Sequence, residues 1–111
     1  MEIAAIASIT RETAEKMAQI FQIPEVLTYE EMINRKDIDI VYIPVPHRAH
    51  MELAIKAMES GKAVLVEKPA GINAGQWKRM TECAEKQNVF LMEAVWTRFF
   101  PIIEEIEKHL P

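Results

Sequence analysis

"AVLVEKPAGIN", residues 63–73, is the stretch on which the reading of this chain turns. Four apolar residues run straight into Glu67-Lys68-Pro69, and a glycine and Asn73 follow. An apolar run of this length, bounded by turn residues, reads as a strand buried on both faces. A charged pair at the end of such a strand needs a reason. Pro69 disfavours the helical region for Lys68 and so predicts an extended backbone there. The long Lys68 side chain then has room to reach across the strand ends.

Working outward, the same kind of strand recurs. "EIAAIAS", "DIVYIPV" and "VFLM" are short and continuously apolar. Helical patterns separate them. "TRETAEKMAQIF" places Ala14, Met17, Ala18 and Phe21 on one stripe, with Pro24 expected to stop the helix and open a connection. Thr28 and Glu31 form a capping box flanked by Leu27 and Met32, a helix start. "HMELAIKAMES" aligns Met51, Ala54, Ile55 and Met58, and Gly61 is set to close it in a left-handed conformation. Asn73 caps a helix bearing Trp77, Met80 and Ala84, with Gln76 in the reciprocal position. Pro101 opens a last helix, about residues 99–110, along which Ile103, Ile106 and Leu110 line up. Alternating strands and helices, with strands apolar at every position, predict an α/β fold. Its core is a doubly wound parallel sheet covered by helices on both faces.

In such sheets ligands bind outside the carboxyl ends of the strands. The residues that follow each strand are therefore the candidates: Ser8, Pro44-Val45-Pro46-His47, Glu67-Lys68-Pro69, and Glu93 onwards. Lys68 is the sharpest of them. An ammonium there can hold a substrate oxygen or polarise a carbonyl. The plain alternative is a surface lysine paired with Glu67. His47 and His50, three apart and near Glu52, have two imidazoles and a carboxylate but no further ligand cluster. A metal is not expected there.

Composition narrows the classes. A chain of 111 residues, half of them hydrophobic and 27% charged, fits one domain. The net charge of −4 is spread along the chain, and no basic stripe favours nucleic acid. No window approaches the ~20 apolar residues of a membrane span. "MEIAAIAS" imitates a cleavage site, yet its start is acidic and its apolar stretch short, so a cytoplasmic location is expected. The single cysteine, Cys83, cannot form an internal disulfide and reads as an inert thiol. The recurrent methionines read as core packing. A dinucleotide fingerprint Gly-x-Gly-x-x-Gly is absent, since the glycines are Gly61, Gly71 and Gly75.

The run "DIDIVYIPVPHRAHMELAIKAMESGKAVLVEKPAGINAGQ" closely resembles the middle of the cofactor domain of the glucose–fructose oxidoreductase / inositol dehydrogenase family. "MEAVWTRFFP" resembles its dihydrodiol dehydrogenase-like branch. The combination of "GK", a strand and "EKP" carries most of the resemblance, which extends to about Pro101; "IAAIAS" adds little. The resemblance implies a partial Rossmann domain over residues 1–111, its last helix leading towards a further domain. The family's first strand and glycine-rich turn would precede Met1, and its catalytic histidine region would follow Pro111. It further implies an NAD(P)-dependent oxidoreductase passing hydride between nicotinamide and a sugar, polyol or diol. By position, Lys68 would be the catalytic lysine beside the nicotinamide and the substrate oxygen. Glu67 and Pro69 would shape that end of the cleft. Ser8 would approach the adenosine ribose, Ile43, Pro44 and His50 would line the cofactor path, and Trp96 and Arg98 would close over it. His47 replaces an asparagine common in the family. Ile9 stands where many NADP-using relatives carry arginine, with Arg11 near enough to serve a 2′-phosphate. No Asp or Glu ends the first strand, which favours NADP slightly over NAD.

Partners implied are a small-molecule substrate and further copies of the chain, with neither nucleic acid nor membrane. A second reading is a non-catalytic nucleotide-fold module used for assembly, because an absent first strand would leave a central edge unpaired. A flavodoxin-like receiver is disfavoured, since the strand ends lack an acidic cluster.

Overall fold

A computed structural model describes residues 1–110. The chain alternates strand and helix: β1 (Ala5–Ala7), α1 (Arg11–Phe21), β2 (Glu25–Leu27), α2 (Tyr29–Asn34) and β3 (Ile40–Ile43) come first. A 3-10 turn at His47–Ala49 then leads into α3 (His50–Glu59), β4 (Ala63–Glu67), α4 (Ala74–Gln87) and β5 (Leu91–Ala94). A second 3-10 turn at Trp96–Phe99 precedes α5 (Pro101–Glu107). All strand pairs are parallel, and each crossover contains a helix.

The ladder falls into two sheets. β1 pairs with β2, and β3–β4–β5 form the other, with Ile43 opposite Val66 and Glu67 opposite Ala94. Each of β1 and β3 therefore has one strand partner among the described residues. β2 was not expected. The connection opened by Pro24 contains Glu25–Leu27, three residues in register with Ala5–Ala7. So short a run carries almost no periodic signal, and only its pairing makes it a strand.

Local signals set the helix ends. In α2 the Thr28 hydroxyl accepts from the Glu31 amide at 3.1 Å, and the Thr28 amide donates to the Glu31 carboxylate at 2.7 Å. At the start of α4 the Gln76 amide donates to Asn73 Oδ1 at 2.9 Å. Gln76 reaches back to the Ile72 amide, one residue before the cap. Three helices stop where one residue turns left-handed: Gln22 after α1, Gly61 after α3 and Asn88 after α4. α1 thus ends ahead of Pro24. α5 stops at Glu107, shorter than the expected 99–110, and Ile102, Ile106 and Leu110 are exposed.

The core lies between α3, α4 and one face of the larger sheet. Ile43, Val64 and Val66 pack with Ala54, Ala57 and Met58 of α3, Met80 and Ala84 of α4, and Ala70. Burying each larger side chain contributes roughly 1.5–3 kcal/mol. The other face is different. Tyr42 is 52% exposed and Ile40 41%, although both stand in an apolar strand. The sequence pattern calls for cover on both faces, whereas these residues cover one. On α1, Ala14 and Ala18 are buried while Met17 and Phe21 of the same stripe are not.

Lys62 joins the two halves. Only 4% exposed, its ammonium donates to the carbonyls of Arg35 and of Ile38, the latter at 3.1 Å. Arg35 in turn reaches Glu25 through two nitrogens and Asp37 through two. This knot ties β2 to the approach into β3.

Candidate active site

The carboxyl ends of β3, β4 and β5 form a rim. Parallel register sets it: Glu67 leaves β4 beside Ala94 of β5, and Tyr42 lies two positions back on β3, opposite Leu65. Side chains two apart share a face, so Tyr42 and Glu67 are diagonal neighbours. The Tyr42 hydroxyl donates to Glu67 Oε1 at 2.7 Å. The Lys68 backbone amide donates to Glu67 Oε2 at 3.1 Å. Both oxygens of Glu67 are thereby engaged. Its carboxyl is held below the ordinary carboxylate range, most strongly by the Tyr42 hydrogen bond, then by the Lys68 amide.

The Lys68 side chain is free of Glu67. It is exposed, and among the described residues its ammonium makes no hydrogen bond or ion pair. The plain alternative, a lysine paired with its neighbour, is not what the structure holds. The Lys68–Pro69 peptide is cis. Beneath the loop lies His50, with no accessible surface. Its Nε2 is 2.7 Å from the Val45 carbonyl and its Nδ1 3.0 Å from the Pro69 carbonyl. His47 stacks edge-on to that ring, with centroids 5.4 Å apart.

The expected residues thus separate into groups. Pro44, His47, His50, Glu67, Lys68 and Pro69 meet at one rim. Among them Lys68, Pro69, Pro44 and His47 are exposed, Glu67 is half-buried, and His50 faces inward. Ile43 lies in the core, 3% exposed. Ser8 follows β1 in the other sheet and is half-buried, while Arg11 pairs with Glu15 at 2.9 Å on the surface of α1. Trp96 and Arg98 follow β5, both exposed, and the Trp96 ring stacks edge-on with Phe100 at 5.1 Å. Because both His50 ring nitrogens face carbonyls, the His47/His50 pair does not present two imidazoles to a metal. Burial pushes the Cys83 thiol up, with Glu59 adding to it.

Two residues here escaped the sequence reading. Tyr42 looked like strand filling, yet period-two counting across the β3–β4 register puts it on the Glu67 face. Lys62 stands just ahead of β4, and nothing local announces the carbonyls it serves. Two surface depressions, one lined by Glu15, Gln19 and Pro24 and the other by Asn34, Asp39 and Lys62, lie away from the rim. The rim itself is an open ledge.

Comparison with known proteins gives a consistent set. The family model described as "Oxidoreductase family, NAD-binding Rossmann fold", GFO_IDH_MocA, matches residues 1–95. A trans-1,2-dihydrobenzene-1,2-diol dehydrogenase of Xenopus laevis is 42% identical over 106 residues, 95% of this chain and 32% of the relative. The enzyme of that name from Mus musculus is 39% identical over 110 residues, 98% of this chain and 33% of the relative. The chain therefore spans about a third of the length of these curated relatives. A 3-ketoreductase from Actinomadura kijaniata, solved in complex with NADP and TDP-benzene, superposes with a TM-score of 0.88 at 31% identity. That match covers 96% of this chain and 33% of the other.

Proposed function

Since the chain belongs to the oxidoreductase family with an NAD-binding Rossmann fold, we propose that its rim is the nicotinamide end of an NAD(P)-dependent dehydrogenase site. The reaction is hydride transfer between the cofactor and the carbinol or carbonyl carbon of a sugar, polyol or diol. The observation that carries this reading is the Lys68 ammonium, unpaired among the described residues and standing at the carboxyl ends of parallel strands on a backbone anchored by Glu67.

The residues present fit one end of a dinucleotide. An open ledge with a free cation, the exposed Pro69 and, after β5, the exposed Trp96 suits a nicotinamide and a substrate oxygen. The pyrophosphate end is another matter. Gly61, the glycine with positive φ, lies at the amino end of β4, away from the rim, so it forms no phosphate cradle there. When bound, NAD(P) supplies the hydride acceptor or donor. Lys68 donates a hydrogen bond to the reacting oxygen and offsets the charge that develops on it, a positioned electrostatic role. Glu67, with both oxygens engaged, holds the Lys68 amide and leaves the proton of the alcohol to another base.

NADP is favoured slightly over NAD, with Arg11 as the group for a 2′-phosphate; a cyclic trans-diol of the kind named for the relatives is the first substrate to try. A homo-oligomeric, cytoplasmic enzyme completes the reading. The test is to introduce Lys68→Ala into the enzyme that carries this chain and measure turnover and NADPH affinity separately. Turnover should fall at least about a hundredfold, with NADPH affinity changed severalfold at most. Unchanged turnover would overturn the assignment.

The assembly module is favoured by one observation, the unpaired sides of β1 and β3. Titrating NADPH against the 111-residue chain, followed by fluorescence, separates the two. Micromolar binding removes the inert module, and none restricts dehydrogenase function to a larger protein.

A further inference from the structure

The His50 side chain touches both loops flanking the site. It enters from the first turn of α3, is fully buried, and sends its two ring nitrogens in opposite directions. One faces the Val45 carbonyl in the loop after β3, and the other faces the Pro69 carbonyl in the loop after β4. Neither loop has regular structure at these residues to occupy those carbonyls. The ring spans the space between these two carbonyls and so bridges the two loops.

We propose that His50 is a positioning residue for Lys68, acting through the Pro69 carbonyl and having no contact with cofactor or substrate. The chain of contacts is short. Glu67 fixes the Lys68 amide from one side at 3.1 Å, and His50 fixes the carbonyl of the next residue from the other at 3.0 Å. Lys68 therefore leaves a backbone held on both flanks. Each neutral tautomer of imidazole donates to one carbonyl, and the ring protonated at both nitrogens donates to both. A ring is needed here because its two nitrogens diverge, whereas the amide of Gln donates from a single nitrogen. Edge-on packing of His47 supports the ring from its flank at 5.4 Å.

The inference rests on Lys68 being the functional group, but its test does not. Amide hydrogen exchange on the 111-residue chain compares Lys68 with Met80, a buried residue of α4, in the unaltered chain, in His50→Phe and in His50→Gln. Phe fills the site with a ring that has no donor; Gln offers donors from a single nitrogen. Exchange at Lys68 should rise about tenfold in His50→Phe and severalfold in His50→Gln, while Met80 changes less than about twofold. If His50→Phe does not fold, the selective rise at Lys68 in His50→Gln carries the same weight. Equal loosening at Lys68 and Met80 would make His50 an ordinary core residue and overturn the proposal, as would unchanged exchange at Lys68. Absence of NADPH binding bears on the proposed function alone, since the exchange pattern needs no cofactor.

Discussion

The Tyr42 hydroxyl and the Glu67 carboxylate, 25 residues apart, meet at 2.7 Å across the β3–β4 ladder. That contact turns Glu67 from a solvated side chain into a fixed anion whose second oxygen holds the Lys68 amide. The bond acts on both acidities. Glu67 is lowered, first by the Tyr42 hydrogen bond, and Tyr42 is raised, first by the same bond.

Tyr42→Phe should release Glu67 Oε1 and let the Glu67 carboxyl return towards the ordinary value of about 4.3. Carboxyl-carbon NMR titration of both chains checks this. A lowered carboxyl contributes stability above its unfolded value and loses it as pH falls through the folded one. The raised Tyr42 contributes below its unfolded value and loses it as pH rises through the folded one. The clasp is therefore complete at neutral pH and opens at both extremes. An identical Glu67 titration in the two chains would show that the bond does not persist in solution.

The Arg35 knot should dominate acid sensitivity. Asp37 is lowered to about 2, chiefly by its hydrogen bonds from Arg35, and Glu25 is lowered for the same reason. Both depressed groups contribute above their unfolded values, near 4, and the contribution fades as pH falls towards 2. Thermal melts at steps between pH 5 and pH 2 should show a steeper loss of Tm in the unaltered chain than in Arg35→Gln. Parallel pH profiles would mean that the pairs are screened out.

Lys62 is an unusual lysine, buried without a carboxylate and satisfied by two carbonyls. Lys62→Met keeps most of the aliphatic stem and leaves Arg35 O and Ile38 O without their donor. The expected cost is about 1–3 kcal/mol in urea unfolding. Lys62→Arg, which keeps the charge but changes the reach, should recover part of it. A Met variant as stable as the original would show that water replaces the ammonium.

Met58 is fully buried between α3 and the sheet. Met58→Ala should cost roughly 2–5 kcal/mol, the range for truncating a core side chain where the surroundings collapse only partly. Met17→Ala, on the exposed side of α1, should cost under about 0.5 kcal/mol. Comparable losses from the two would place the core elsewhere.

Much of the fold was legible because its signals are local. A capping box needs four consecutive residues, so Thr28–Glu31 could be read directly and is present. Asn73 and Gly61 work the same way. β2 was not legible, because Glu25–Leu27 becomes a strand only through β1. Of the site, Glu67-Lys68-Pro69 and the loop after β3 could be placed at a strand end from the pattern alone. His50 could be placed at the rim but not turned inward. The direction of a side chain depends on which carbonyls the neighbouring loop leaves open.

The amino-acid sequence by itself determined the alternation of parallel strands with helices and the place of Lys68 at the end of a strand. Apolar runs, caps and prolines act over a few residues and need no partner. Tertiary structure alone decided that Tyr42 clasps Glu67, that His50 joins the two rim loops, and that Lys62 serves Arg35 and Ile38. Those pairs lie between 5 and 27 residues apart. Each joins groups that only the folded chain brings together, and for His50 and Lys62 burial also removes water as the competing hydrogen-bond partner.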